Sequence, residues 1–559
     1  MLTPGQQFAH DVVSGRIVSG KRRIQACQRF LDELARQNDP DYPWIFNTEK
    51  ATRPTEFMER FLVPTKGNYS KMEVLPWQSF VIENAFGWVS KKTGFRRFRE
   101  CLIIVGQGNG KSTLISGIAT ATLTKDGERG AEIYTLANSK DQAKIVFGEC
   151  AAAIKASPLL SKHIRVTRDG IYYGTSKIAV LASDSKTLDG LNVHVAVFDE
   201  IHEFRDYVLI TTIKNKIKKR KQPLIFYITT LGTVIDGPLM DLYVLGGQIL
   251  DDSGAIDRRA ADRMFVYIDE IDADDDPEDW TVWGKANPSL GKLLDIEDLK
   301  DEWARVKNSP AERSSFINKQ LNVFTLVDEL SYLDVKTILK NNKTYELPDG
   351  AICYGGFDLS NTEDFTAAAL EFPLPDGNFF VLSHTWVTQK KVAANNEKLD
   401  WQTLVDNGWM TVIPGEYVEY TYVLDWFKEM RKKYRIESIG YDPAKAFMLV
   451  QKMKEEGLVM DVVRQGEITL TAPLDDLKEK FLDGKVIHNN NKLLNWYLGN
   501  VKLTKRSVNG TYLPTRQNRY RKIDGFAALL DAHTEYLRCH PVQIPPDKKL
   551  TTVLDLRGL

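Results

Sequence analysis

Residues 101–113 read CLIIVGQGNGKST: five apolar residues, a turn carrying three glycines, then Lys-Ser-Thr. The apolar run predicts a buried strand, the glycines a tight turn, and the residues after it the start of a helix. Gly106, Gly108 and Gly110, with Asn109 among them, let backbone N–H groups turn inward around phosphate oxygens, as helix N-termini do for anions. Lys111 then reaches the β- and γ-phosphates, Ser112 ligates magnesium, and Thr113 belongs to the same cradle. Val105 occupies the place of the usual first glycine, so the pattern is a variant of the common phosphate loop. A bare Gly-Lys-Ser is a weak signal; between a strand and a helix it is a strong one.

Working outward, VHVAVFDE (193–200) is an apolar strand that ends in two carboxylates. Behind a phosphate loop, Asp199 is placed to hold the nucleotide's magnesium and Glu200 to polarise the attacking water. IFYITTLGT (225–233) ends in Thr229 and Thr230, which are expected to sense the γ-phosphate and pass on its loss. Upstream, VLPWQSFVIENAFGW (74–88) offers Gln78 as a reader of adenine beside Trp77, with a solvent-exposed glutamine on a core helix as the alternative.

The apolar runs Cys101–Val105, Ile133–Leu136, Ile178–Leu181, Val193–Phe198 and Leu224–Ile228 alternate with helical stretches. That pattern predicts an α/β fold with a parallel sheet covered on both faces. Residues 1–60 read as a helical region and 61–250 as the nucleotide-binding core. Residues 251–335 read as a charged, helical lid, with DADDDPED (272–279) as a solvated loop. A second domain is expected over 336–540, followed by a tail at 541–559. With 559 residues, 43% hydrophobic and 27% charged, the chain has material for several cores. Its net charge of −1 excludes a polycation, so contact with nucleic acid must come from local patches. Five scattered cysteines form no Cys-x-x-Cys pair, which argues against a disulfide framework or a cysteine–zinc site. No signal peptide and no apolar run near the ~18 residues of a membrane span are present, so a soluble cytoplasmic protein is expected.

The second half carries a different constellation. Asp358 leaves the strand in ICYGGFDLSNTEDF (352–365), Asp442 ends the strand in IESIGYDPAKA (436–446), and Asp524 starts the helix in KIDGFAALLDAH (522–533). Three carboxylates from separate elements suit hard cations such as magnesium or manganese, and two such ions can cleave a phosphodiester. Asp531 competes with Asp524 for the third place, and Asp364 is an outside candidate. Basic runs at KNKIKKRK (214–221), TKRS (504–507) and RQNRYRK (516–522), with Tyr520 interleaved, are candidates for phosphate contacts on DNA.

The order LPWQ, GNGKS, TLDGLN, VFDE-x-HE, TT, LN-x-F, GGFDLS, YDP, KIDG resembles the large terminase subunits of tailed double-stranded DNA bacteriophages, in the Terminase-1 branch, over roughly residues 5–540. The resemblance implies a RecA-like ASCE P-loop ATPase with a small lid subdomain, then an RNase H-like nuclease. Such a protein uses ATP with Mg2+, and Mg2+ or Mn2+ as two nuclease ions. It drives double-stranded DNA into a procapsid and cuts concatemers. Its implied partners are the portal protein, a small terminase subunit and further copies of itself in a ring, a pentamer. It would work in the host cytoplasm, dock transiently on the portal and be absent from the mature virion. On matching positions, Lys111 and Ser112 are the Walker A ends, Asp199 the Walker B aspartate and Glu200 the catalytic glutamate. Thr229 and Thr230 are the coupling motif, and Asp358, Asp442 and Asp524 the nuclease acids. Many terminases carry an arginine early in the phosphate loop, where this chain has Gly106-Gln107. A neighbouring subunit would then supply the arginine, with Arg129 and Arg205 as candidates.

The main rival is a DExH-type helicase, since residues 199–202 read Asp-Glu-Ile-His before paired threonines. Such a helicase needs a second RecA-like domain with an arginine-rich motif, and no segment after 330 supplies one. A non-enzymatic scaffold with decayed sites is disfavoured by the intact Lys111, Asp199, Glu200 and nuclease aspartates.

Overall fold

The structure, a computed structural model, describes residues 2–64, 71–182, 190–232, 237–252, 257–324, 330–360, 365–397, 399–444, 446–504, 510–516 and 520–540. Asp364, Lys505–Ser507, residues 517–519, most of the TLDG stretch and the tail 541–559 lie outside the described residues. The chain divides into two compact units, Met1–Asp328 and Glu329–Leu559.

In the first unit, a small sheet pairs β1 (Trp44–Phe46) with β2 (Trp88–Ser90). The main sheet comprises β3 (Glu100–Ile104), β4 (Glu132–Ala137), β5 (Arg165–Val166), β6 (Ile171–Tyr173), β7 (Ser176–Ala182), β8 (Val193–Asp199), β9 (Leu224–Thr229) and β10 (Met264–Ile268), in the order β10-β3-β9-β8-β4-β7-β6-β5. The first six in that order run parallel; β6 and β5 turn back antiparallel. Strands β8, β9 and β10 are buried along their whole length, as continuous apolar runs covered on both faces should be. The helix Lys111–Lys125, which carries the chain from β3 towards β4, is buried on nearly every side. That explains its lack of a polar face.

Two readings of the first unit change. The stretch after residue 250 was expected to be charged and helical, yet β10 within it is a full strand of the sheet, paired with β3. The acidic loop 272–279 is also not wholly solvated: Asp272 and Asp275 both take Lys285 Nζ at 2.8 Å, and Asp272 Oδ1 accepts from Lys21 N at 2.8 Å. Beyond it, Trp283, Leu299, Trp303, Phe316 and Leu321 form a small core of their own. A buried ion pair joins the N-terminal helix Lys21–Ala35 to the end of β10, with Arg23 Nε 2.5 Å from Asp269 Oδ1. Arg23 also donates to Lys285 O at 2.9 Å.

The second unit is built on β11 (Ile352–Asp358), β12 (Thr366–Pro373), β13 (Phe379–Thr388), β14 (Met410–Ile413), β15 (Arg435–Tyr441), β16 (Met460–Val462) and β17 (Val486–Ile487). Their order is β14-β13-β12-β11-β15-β16, with β17 also on β13. Strands β11–β13 are antiparallel, whereas β15 runs parallel to β11. A pair, β18 (Val501–Leu503) and β19 (Pro514–Arg516), lies apart from this sheet. The helix Asp524–Cys539 packs across β11, β12 and β15. Gly356 and Gly440 make that close approach possible: a Cβ at 356 would collide with Ala528 O, and one at 440 would stand 2.6 Å from Asp531 O. The antiparallel strands β11–β13 set this mixed sheet apart from the parallel sheet of a second RecA-like domain, which tells against the helicase reading.

Candidate active sites

The phosphate loop leaves the C-terminal end of β3, whose neighbours on that side are β9 and then β8. Ile104 pairs with Thr229, and Asp199 with Ile228, so the register brings the loop, both threonines and both carboxylates to one sheet edge. Gly108 and Gly110 both have φ of +83°, a conformation that strains any residue with a Cβ. Lys111 is buried, and its Nζ donates to Val105 O at 2.6 Å and Gly106 O at 2.9 Å. Burial pulls its pKa down to about 8, against the attraction of Glu200 and Asp199. Burial likewise pushes Asp199 up to about 7, helped by the neighbouring Glu200 charge and opposed by Lys111. For Glu200, burial is outweighed by the His202 hydrogen bond and by Lys111, which hold its carboxyl below the usual range. Ser112 and Thr113 sit half-buried in the helix's first turn, and Thr113 Oγ1 lies 3.4 Å from Glu149 Oε2.

The loop is braced from behind by Asn287, Ser289 and Lys319, which no sequence motif had singled out, and by Trp77 of the LPWQ motif. The Asn109 side chain is fully buried; its Nδ2 donates to Asn287 Oδ1 at 2.8 Å and its Oδ1 accepts from Ser289 N at 3.0 Å. Trp77 Nε1 donates to Ser289 Oγ at 2.9 Å, and Gln107 N to Lys319 O at 2.8 Å. Asn322 accepts from Leu231 N at 2.7 Å and Asn318 donates to Gly232 O at 2.9 Å, so one short segment touches both the phosphate loop and the chain beyond Thr230. Gln78 is buried, not solvent-facing: its Oε1 accepts from Leu75 N at 2.9 Å, while its amide nitrogen lies beside Gly110. Arg129 is exposed in the turn before the N-terminal end of β4, on the opposite sheet edge from the loop. Arg205 follows β8 on the loop's own edge.

In the second unit, Phe357 pairs with Tyr441 on parallel strands, so Asp358 and Asp442 leave adjacent strand ends side by side. Asp524 opens the helix Asp524–Cys539 and is buried, as is Asp531 two turns on. Tyr497 is pushed well up by burial and then by the Asp524 and Asp358 charges, which locates both near its hydroxyl. Burial drives Asp531 well above the carboxylate range, Asp442 adds to it, and Gln465 Nε2 opposes with a 3.0 Å bond. Asp442 Oδ1 also accepts from Ala444 N at 2.9 Å. The donors are all carboxylate oxygens, the kind that hard divalent cations take. Among the described residues no three His, Cys, Asp or Glu side chains form a ready metal-holding group. A buried carboxylate that the sequence did not reveal, Glu397, pairs with Lys391 Nζ at 2.9 Å, and its charge too reaches Tyr497.

A phosphate-loop ATPase unit followed by an RNase H-like unit with acidic strand ends defines a hydrolase with two activities on one chain. The family model "Terminase large subunit, ATPase domain" matches residues 76–245, and "Terminase large subunit, endonuclease domain" matches residues 258–539. The terminase large subunit of Lactococcus phage SK1 is 24% identical over 509 residues, covering 87% of this chain and 91% of that protein. The corresponding protein of Enterobacteria phage HK97 is 23% identical over 496 residues, covering 86% and 94%. The crystal structure of the HK97 large terminase aligns with a TM-score of 0.48 and 21% identity over 87% of this chain and 99% of that one. The endonuclease model alone spans half of the chain, and the chain belongs to the terminase large-subunit family. It is an ATPase and a nuclease of phage DNA packaging, and uses ATP and a divalent metal. Among the described residues no helix is long and apolar enough to cross a membrane.

Proposed function

We propose that this chain turns over ATP at the β3–β9–β8 edge to drive double-stranded DNA through a procapsid portal, and cuts that DNA with Asp358, Asp442 and Asp524. The observation that carries the motor half is the convergence of Lys111, Asp199, Glu200 and Thr229 at adjacent strand ends. Lys111 offsets phosphate charge, the N–H groups of Gly106–Gly110 cradle the phosphate oxygens, and Gln78 contacts the base. Ser112 and Asp199 hold the nucleotide's magnesium, and Glu200 takes a proton from the attacking water. Thr229 and Thr230 report loss of the γ-phosphate to the brace at Asn318–Asn322.

In the nuclease half, Asp358, Asp442 and Asp524 hold two magnesium or manganese ions. When bound, these ions activate water and stabilise the leaving oxygen. Asp531, its carboxyl proton retained by burial, is held by Gln465 and feels the Asp442 charge, and serves as a neutral neighbour of the metal-holding set. The basic side chains Arg516 and Arg521, with the exposed Tyr520 beside them, lead into Asp524 and are suited to steer the DNA backbone, whereas Lys522 is buried. Residues 1–60 serve as helical brace, 61–250 together with β10 as motor core, the rest of 251–335 as lid, and 336–540 as nuclease. A ring of copies, five in number, docks on the portal in the host cytoplasm with a small terminase subunit choosing the DNA.

The test is packaging of DNA into purified procapsids by the full chain with ATP. Protection of DNA from added nuclease should require hydrolysable ATP. Hydrolysis without protection, with portal-bearing procapsids and small subunit supplied, would sink the motor reading.

A further inference from the structure

The Asp-Glu-Ile-His stretch contains one residue that the packaging reading leaves without a task. His202 sits in the short turn Ile201–Glu203 that follows β8. Its Nδ1 lies 2.8 Å from Thr229 Oγ1 and 3.1 Å from Glu200 Oε2, and its backbone N lies 3.4 Å from the same threonine oxygen. The Thr229 hydroxyl lies 2.7 Å from Thr230 O, to which it donates, and 3.4 Å from Glu200 Oε2. An ionised carboxylate only accepts. With the threonine hydrogen committed to Thr230 O, both oxygens facing the imidazole are acceptors. Nδ1 must therefore carry the ring proton and share it between them.

The surroundings fix the ring in that place. Gly232 leaves so little room that a Cβ there would lie 2.8 Å from His202 Cβ. Ile201 is fully buried, and Glu203 Oε2 accepts from Gln142 Nε2 at 2.7 Å, which pins both sides of the turn. Glu200 itself is held at φ 50°, ψ 49°, a left-handed conformation that a non-glycine residue keeps only when its neighbours enforce it.

We propose that His202 is a positioning residue of the ATPase, its Nδ1–H clamping the Glu200 carboxylate to Thr229, so that the orientation of the catalytic glutamate depends on the coupling threonine. The link is mechanical and short. A shift of the β9 end that moves Thr229 drags the imidazole, and the imidazole drags the carboxylate that polarises water. The inference rests on the reading of Glu200 as the catalytic glutamate.

The experiment uses the full chain and measures kcat and KM for ATP together with the Kd of a fluorescent ATP analogue. His202→Ala should lower kcat about tenfold or more, short of the roughly 10²–10⁴-fold that loss of the positioned base itself costs, while KM and Kd stay within about threefold. His202→Asn sets an amide nitrogen near the Nδ1 place and should recover most of kcat; His202→Gln, one carbon longer, should not. In the double variant His202→Ala/Thr229→Val, the losses should be less than multiplicative, because both changes break one clamp. An unchanged kcat in His202→Ala, an asparagine no better than glutamine, or fully multiplicative losses would overturn the clamp. Should His202→Ala fail to bind the analogue, the asparagine–glutamine comparison decides. Glu200→Gln is run alongside: if it turns over ATP normally, the reading of Glu200 itself falls; if it is dead while His202→Ala is normal, only the clamp falls.

Discussion

Single side chains at the two sites are tuned by burial before anything else. Lys111 at about 8 and Asp199 at about 7 are both displaced toward neutrality by the same loss of water. Lys111→Ala and Glu200→Gln are both expected to abolish turnover, by about 10²–10⁴-fold for the loss of a positioned base. They should differ in binding: the glutamine variant keeps the phosphate cradle and still holds ATP, whereas the alanine variant loses it. Fluorescent-nucleotide titration separates the two, and a Glu200→Gln protein with near-normal kcat would remove Glu200 from the chemistry. In the nuclease, Asp531 and Asp524 share a helix but not a charge environment. Asp531 retains its proton because it is buried and stands beside Asp442. Asparagine resembles a protonated aspartate in shape and charge, so Asp531→Asn should cut DNA nearly normally. Asp524→Asn removes a ligand charge and should stop cleavage; plasmid nicking in manganese compares them, and equal loss would make Asp531 a ligand.

Whole elements carry the rest of each site, and here the sequence was legible to unequal depths. The strands at 101, 133, 178, 193 and 224 were readable because strands buried on both faces need continuous apolar runs. β10 was not, because MFVYI stands alone in a charged neighbourhood and its partner β3 lies far away in sequence. The pairs Asn109–Asn287 and Arg23–Asp269 were equally hidden, since 178 and 246 residues separate the partners. In the double glycine of GGFD, Gly356 meets the backbone of the helix Asp524–Cys539. Gly356→Ala should push that helix off the sheet, at a cost of about 1–3 kcal/mol, and abolish cleavage while ATP hydrolysis persists. A thermal melt with cleavage and ATPase assays checks this; normal cleavage would show that the helix tolerates displacement.

The same helix holds His533, whose Nδ1 is 2.9 Å from Glu371 Oε2 and whose Nε2 is 2.9 Å from Asp476 Oδ2. Burial lowers its pKa, but Glu371 and Asp476 outweigh it and raise it to about 9. A histidine raised above its unfolded value of 6.5 stabilises the fold fully below that value and loses the contribution as pH climbs through about 9. The nuclease unit should therefore melt earlier at pH 9.5 than at pH 6.5, and His533→Gln should flatten that slope. An unchanged slope in the variant would show that the imidazole is not the titrating group.

At the scale of the whole molecule, the phosphate loop and the nuclease aspartates belong to different compact units, Met1–Asp328 and Glu329–Leu559. Hydrogen bonds around Lys111, Asp199 and Glu200 come from the first unit, and those around Asp442 and Asp531 from the second. Removing one nuclease charge should thus leave the motor's chemistry untouched. Asp358→Asn keeps the side chain's shape and removes one formal charge from a set that must offset divalent cations away from bulk water. The variant is expected to bind metal weakly and to leave plasmid DNA uncut in manganese. It should hydrolyse ATP as the parent does and package linear DNA that has already been cut, because linear DNA needs no cleavage to enter. Plasmid cleavage, ATPase rate and protection of linear DNA, measured on one preparation, give three independent readings. Normal cutting by Asp358→Asn would end the nuclease assignment at β11. Loss of linear-DNA packaging with ATPase intact would show that the second unit takes part in translocation itself.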